Sequence, residues 1–521
     1  MKQNRWSRRK FLQKTGQAAG TVLAGGGVLG AAIDALAEGA SPGLALGSGR
    51  GSAPSLNQGT KILRGRELEN LLADLVGDLN KKGLYASAFF EERTGVNANA
   101  NRGEKSAAPN APTAGVVLQV YDGHHFHEAS TDRVSSDSLF RLAKGLAKEV
   151  RPAPSGAHRP DPGPRADVTR QSPREIDPTT VSLSEWRRQA DQLLEAVHAH
   201  DDRIRSAATF MSYRRRETLF VNPTRRIRQD ILHSSRGIFS FAMDGGATAR
   251  AFNRDVELAG FELIDFPQER FAVISELIDD LLKAERIVPG SYEVISSPAV
   301  TGLLAHESFG HGVEADQFVK GRAKAAHFLG KRVAPEWVNI WDDPSEGRAN
   351  GSYYFDDEGW EASPTHIVKD GIFEQPLTDL FSSQTARIRR TANGRRQSFG
   401  NKAYARMSNT FFGRGSTPVA EMEASMEDGI FLDGFQSGIE DPHGWGIQLT
   451  VNRGYEIKNG KRTGRVFHPI GVTGYVPDIL DSISQVSNEF ALVPGTCGKG
   501  YKEYVPVASG GPHLKFRAQL G

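Results

Sequence analysis

An α+β architecture is what the sequence predicts: an N-terminal α+β domain with an antiparallel sheet, then a β-rich C-terminal domain into which one helix is set. Three observations carry this. Apolar residues recur at helical spacing in three separate stretches of the first half, around 68–79, 182–198 and 271–282. Short strand-like runs lie between them. After about residue 311 the pattern turns largely β, with Asp370-Gly371 and Asn459-Gly460 as hairpin signals.

The first helix is read from Leu63 to Leu79, on the stripe Leu68, Leu71, Leu72, Leu75, Val76 and Leu79. Strands follow at Tyr85 to Phe90 and Gly115 to Tyr121, and a turn at Asp122-Gly123 leads to a further strand or helix start. The stretch from Arg151 to Pro178 holds seven of the chain's 26 prolines, so residues 151–180 are expected to be an inserted surface linker. Ser182 and Glu185 form a capping box that opens a helix to about His198. Two or three strands then run to Gly237–Met243. Within them Thr209 to Val221 reads as a strand pair whose arginines, Arg214 to Arg216, face solvent. A helix from Gln268 to Arg286 closes this domain, 61–287, with Phe271, Ile274, Leu277, Ile278, Leu281 and Leu282 inward.

The second domain, 288–521, opens with a strand from Tyr292 to Ser296. Pro298 suits the first turn of the next helix. No sustained internal repeat is present.

The N-terminus carries Ser7-Arg8-Arg9-Lys10-Phe11-Leu12, the pattern of a twin-arginine signal, followed by a Gly/Ala-rich run ending at Ala35-Leu36-Ala37. Residues 1–37 are expected to be removed on export, 38–60 to form a flexible lead-in, and the mature protein to sit outside the inner membrane with no stable span. Lys plus Arg number 64 against 62 Asp plus Glu, a balance that argues against a nucleic-acid partner.

Chemistry-bearing residues crowd at His306-Glu307-Ser308-Phe309-Gly310-His311. The zinc-protease pattern has its two histidines four apart; here they are five apart. Five steps of an ideal helix leave two side chains about 140° apart, so a regular helix would not aim both at one metal. A π-type turn would, and Gly310 eases the distortion. The lone Cys497 makes no internal disulfide. It is either an incidental buried thiol or a ligand thiolate, and its glycine-flanked setting, Pro494-Gly495-Thr496-Cys497-Gly498-Lys499-Gly500, favours the ligand.

Together these two motifs resemble those of the TldD/PmbA family of zinc metalloproteases. Gly312-Val313-Glu314-Ala315-Asp316, Phe355-Asp356-Asp357-Glu358-Gly359, Gly394-Arg395-Arg396, Arg406-Met407-Ser408-Asn409-Thr410 and Val505-Pro506-Val507 extend the likeness. It is close from about Val288 onward and general before that. The leader and the proline-rich insertion depart from cytoplasmic members.

The resemblance implies a zinc peptidase of the catalytic, TldD-like type, acting on short or unstructured peptides and often paired with a TldE/PmbA-like subunit. It assigns His306, His311 and Cys497 as zinc ligands. On residue chemistry Glu307 is then the general base. Glu314 and Asp316 are candidates to orient ligands, and Arg406, Asn409 and Asp356 to Glu358 to line a substrate groove, with ordinary structural roles as the competing reading. His366, His443 and His468 read as structural. A non-catalytic scaffold or binding subunit of an exported pair is the alternative function, against which the intact Glu307 argues.

Overall fold

The computed structural model describes residues 63–500 and 503–521; the expected signal at 1–37 and lead-in at 38–60 lie outside them. The first half is built on one eight-stranded sheet. Its elements are α1 (Gly65–Lys82), β1 (Tyr85–Asn101), β2 (Lys105–Pro109), β3 (Thr113–Tyr121), β4 (Phe126–Thr131), α2 (Ser136–Glu149) and β5 (Ala166–Gln171). Then come α3 (Leu183–His200), β6 (Ile204–Val221), β7 (Arg225–Asp244), β8 (Ala247–Leu258) and α4 (Glu269–Lys283). The strand order is β4-β3-β1-β6-β7-β5, with β2 on β1 and β8 on β7.

The three central strands are 17, 18 and 20 residues long, and the outer two of them, β1 and β7, each change partner along their length. β1 pairs with β3 as far as Arg93 and with β2 from Val96. Two apolar clusters result. The α1 stripe, with Leu139 and Leu146 of α2, packs on the β1–β3 end. Trp186 and Leu193 of α3, with Phe271, Ile274 and Ile278 of α4, pack on the other. The Ser182 hydroxyl caps α3 by accepting from the Glu185 N–H at 3.2 Å, as its motif predicts.

Two expectations for this half are corrected. Residues 151–180 lie at the surface but are not all linker: β5 adds in parallel to the edge of β7, and its flanking prolines, Pro164 and Pro173, stay outside the ladder. The segment from Thr209 to Val221 is one strand and not a pair, because it holds no turn residue and pairs with β1 and β7 at once. Its Arg216 is not a solvated surface residue. It bridges the buried Glu91 and Asp357.

The second half holds β9 (Gly290–Ser296), α5 (Pro298–Ala305), β10 (Ile340–Asp342), β11 (Thr365–Lys369), β12 (Ile372–Phe373), β13 (Gly394–Arg395), β14 (Tyr404–Ala405) and β15 (Asn409–Phe412). It continues with β16 (Asp428–Asp441), β17 (Gly446–Lys458), β18 (Lys461–Phe467), β19 (Ile470–Tyr475), β20 (Gln485–Val486), β21 (Ala491–Lys499), β22 (Glu503–Gly511) and β23 (Leu514–Leu520). β16 pairs with both β9 and β17, so the ladder β16-β9-β23-β19-β17 closes on itself. A second sheet runs β12-β11-β10-β15-β22-β21 and ends on β21. Both hairpin signals are realised: Asp370 and Gly371, and Asn459 and Gly460, have positive φ throughout, the type I′ geometry that matches strand twist.

Pro298 occupies the first turn of α5, and every residue of the chain from Val300 to Phe309 is buried. A helix apolar on all sides belongs in a core, and α5 lies against β22 and β16 with no room to spare. A Cβ on Gly302 would stand 2.5 Å from the Gly510 backbone nitrogen. Among the described residues no helix is long and apolar enough to cross a membrane.

Candidate metal centre

The chain leaves α5 through a π turn at His306–Gly310. The His311 N–H donates to the His306 carbonyl, the i to i+5 bond that a wider turn requires. Carbonyls displaced by this turn find side chains: Ser308 Oγ donates to the Leu304 oxygen at 2.5 Å, and Trp445 Nε1 to the Ser308 oxygen at 3.2 Å. Gly310 leaves space for Met407, whose sulfur would stand 2.6 Å from a Cβ there. The widened turn carries both imidazoles to one side, with ring centroids 5.2 Å apart and planes at 80°.

Cys497 meets them from β21. It sits on an edge strand and not in a loop, which corrects the reading of its glycine-rich setting; Pro494 is tolerated there because an edge strand has one unpaired side. Its Sγ lies 3.3 Å from His311 Nε2. The ligand atoms of His306, His311 and Cys497 all fall within 4.8 Å of one another.

Charges around this trio are arranged in pairs. Arg406 Nη2 donates to Cys497 Sγ at 3.1 Å and to its carbonyl at 2.7 Å. Burial alone would raise the thiol, but Arg406, then His311 and His306, hold it well below its ordinary range. His311 is raised well above an ordinary imidazole: burial opposes this, and the charges of Cys497 and Glu314 outweigh it. Glu314 Oε2 is 3.5 Å from His311 Nδ1 and accepts from Lys499 Nζ at 2.9 Å. Against its burial, Lys499 leads the groups that bring the Glu314 carboxyl down to about 2. Lys499 also donates to Asp316 at 2.6 Å, and Lys320 holds the other Asp316 oxygen at 2.9 Å.

Glu307 differs from all of these. It is 5% exposed, and its carboxylate has no hydrogen bond or ion pair among the described residues. Burial, outweighing the nearby histidines, raises its carboxyl above the ordinary carboxylate range. Room for it comes from β16, where a Cβ on Gly438 would stand 2.5 Å from Glu307 Oε1.

Of the other residues read from the sequence, Glu314, Asp316 and Arg406 are brought to the site. Asn409 is not. It is fully buried and bonds the Asp343 carbonyl, Ser352 Oγ and the Gly351 N–H, so it fastens a loop to β15 instead of lining a groove. Asp356, Asp357 and Glu358 are buried too, and accept from the backbones of Gly394, Arg396 and Leu380. His366 stacks on Trp341, a structural role. Three residues went unassigned: Lys499, Trp445 and Glu440. Lys499 was legible in principle, because it stands two residues from Cys497 and therefore on the same face of β21.

A family model described as the PmbA/TldA metallopeptidase C-terminal domain matches residues 289–519, from β9 to the end of β23. A protein of Saccharolobus solfataricus named as a zinc metalloprotease TldD homologue is 30% identical over 301 residues, which are 57% of this chain and 67% of that one. The chain belongs to the TldD/PmbA family. A metalloprotease of Methanocaldococcus jannaschii is 37% identical over 231 residues, 44% of this chain and 51% of that protein. The matches thus span about half to two thirds of these TldD/PmbA relatives.

Solved structures match over more of the chain. A putative modulator of DNA gyrase from Bacteroides thetaiotaomicron superposes with a TM-score of 0.69 at 16% identity, covering 88% of this chain and 100% of that one. TldE from Thermococcus kodakarensis gives 0.67 at 16%, covering 87% and 100%. At that identity the likeness is one of fold alone, and at 87–88% coverage of this chain it takes in most of the first half as well as the second.

Proposed function

We propose that this chain is a zinc-dependent peptidase that hydrolyses short or unstructured peptides. One observation carries the reading: His306, His311 and Cys497 converge within 4.8 Å, and Glu307, next in sequence to a ligand, has a carboxylate without a hydrogen bond or ion pair among the described residues. The donor set fits the ion. Two imidazoles and a thiolate make three protein ligands, which leaves a tetrahedral zinc one open position, the mark of a catalytic site and not a structural one. The thiol's lowered pKa provides the thiolate that a ligand must be. When bound, zinc supplies Lewis acidity, polarising a carbonyl and making water easier to deprotonate.

Glu307 takes a proton from the attacking water at a carboxylate oxygen and returns it to the departing amine. Its burial makes it a stronger base than an exposed carboxylate, and the absence of a competing partner leaves both oxygens available. Arg406 keeps Cys497 ionised, while Glu314 steadies the other nitrogen of His311. A cysteine nucleophile paired with His311 is the chemical competitor. The complete burial of Cys497 under Arg406 disfavours it, since a nucleophile must reach its substrate.

The twin-arginine motif supports export to the periplasm or beyond, and the fold shared with TldE supports a homo- or heterodimer with a TldE-like subunit. The scaffold alternative is separated by experiment. Purified protein should contain about one zinc per chain and cleave an unstructured peptide mixture. Glu307→Gln should keep its zinc and lose on the order of 10²–10⁴ in turnover. Full zinc without cleavage, alone and with a TldE-like partner, would assign the chain to the scaffold class.

A further inference from the structure

Resting on the peptidase reading, we propose that Glu440 receives the free α-ammonium group of the substrate, so that peptides are engaged by their amino ends. Glu440 lies on β16 two residues beyond Gly438, the residue over which Glu307 sits. Alternate residues of a strand share a face, which places Glu440 on the Glu307 side, about 7 Å further along. Its carboxylate also borders the ligand turn: a Cβ on Gly312, next to His311, would stand 3.1 Å from Glu440 Oε1.

The other carboxylates around the ligands are engaged. Among the described residues Glu314 is held by Lys499 at Oε2 and lies 3.5 Å from Arg406 at Oε1, an oxygen that itself has no hydrogen bond, and Asp316 has Lys499 and Lys320. Asp441 accepts from the His443 and Gly444 N–H groups, each at 3.1 Å. Glu307 is reserved for proton transfer. Glu440 has no ion pair among the described residues, and its Oε1 is buried with no hydrogen-bond donor among them. The nearest indole, Trp445, already donates to Ser308.

A buried carboxylate oxygen without a donor is costly, and a ligand that brings donors and positive charge removes the cost. An ammonium does both, with three N–H groups.

The test uses full-length zinc-loaded protein in the Glu307→Gln background, titrated calorimetrically with leucinamide and N-acetyl-leucinamide. Leucinamide should bind the more tightly. Glu440→Gln should weaken leucinamide by about tenfold or more, leave the acetylated probe unchanged and retain zinc. Equal affinity for the two probes, an equal loss for both, or loss of zinc in Glu440→Gln would overturn the proposal. In the Glu307 parent, one peptide with a free and with an acetylated amino terminus gives the second readout: Glu440→Gln should raise KM for the free form alone. Glu440-dependent leucinamide binding without any peptide cleavage would uphold the ammonium site and overturn the peptidase reading.

Discussion

Lys499 neutralises two buried carboxylates at once, Glu314 and Asp316, and one of these lies against a ligand imidazole. Removing its charge while keeping its volume leaves both buried acids short of a cation. Lys499→Met should therefore weaken zinc binding about 10- to 100-fold, the usual cost of disturbing a group that orients a ligand. Competition with a chromogenic chelator measures this. An unchanged affinity would mean that Glu314 does not steady His311. The same residue-scale logic explains why Glu307 must have no partner: a base held in an ion pair has given up the proton affinity it needs.

At the scale of elements, glycine placement decides how closely α5 and its π turn approach the surrounding strands. Gly438→Ala would put a methyl group 2.5 Å from Glu307 Oε1. The carboxylate should be displaced and kcat should fall, with zinc content unchanged, because the atoms nearest the added methyl group all belong to the base. A metal analysis beside a kinetic assay checks both halves of that statement. Gly302→Ala acts differently, since its methyl would meet the backbone of β22 at 2.5 Å and backbone cannot rotate away. Overpacking of this kind costs about 1–3 kcal/mol, and a lowered thermal unfolding midpoint should report it.

At the scale of the molecule, buried ion pairs join the two halves. Glu91 of β1 accepts from Arg93 and from Arg216 of β6, and from the Phe399 N–H of the second half. Arg216 reaches on to Asp357, and Arg396 to Glu128. Burial alone would raise the Glu91 carboxyl, but Arg93 and Arg216 bring it down to about 2 from 4.5. A carboxyl with a depressed native pKa adds stability above its unfolded value and loses it as pH falls through the native one. Acid should therefore erode stability between about pH 4.5 and about pH 2. Glu91→Gln should be less stable than the parent by about 3 kcal/mol near neutrality, with the gap closing across that window. Urea unfolding at several pH values measures it; a gap that stays constant with pH would mean that the ionisation of Glu91 does not contribute.

What the sequence alone determined was whatever local physics dictates. Helical stripes, the Ser182 cap, Pro298 at a helix start and the Asp370-Gly371 and Asn459-Gly460 turns are each written within a few residues, and each stands where it was read. The i to i+5 spacing of His306 and His311 likewise required a wider turn, because an ordinary helix parts those side chains. Tertiary structure decided the rest. The edge pairing of β5 within a proline-rich stretch and the inward turn of Arg216 depend on partners from 59 to 141 residues away. Asn409 and Glu440 exchanged importance for the same reason. A polar residue's role is set by what faces it, and neither the enclosure of Asn409 nor the donorless Oε1 of Glu440 exists until distant strands close around them.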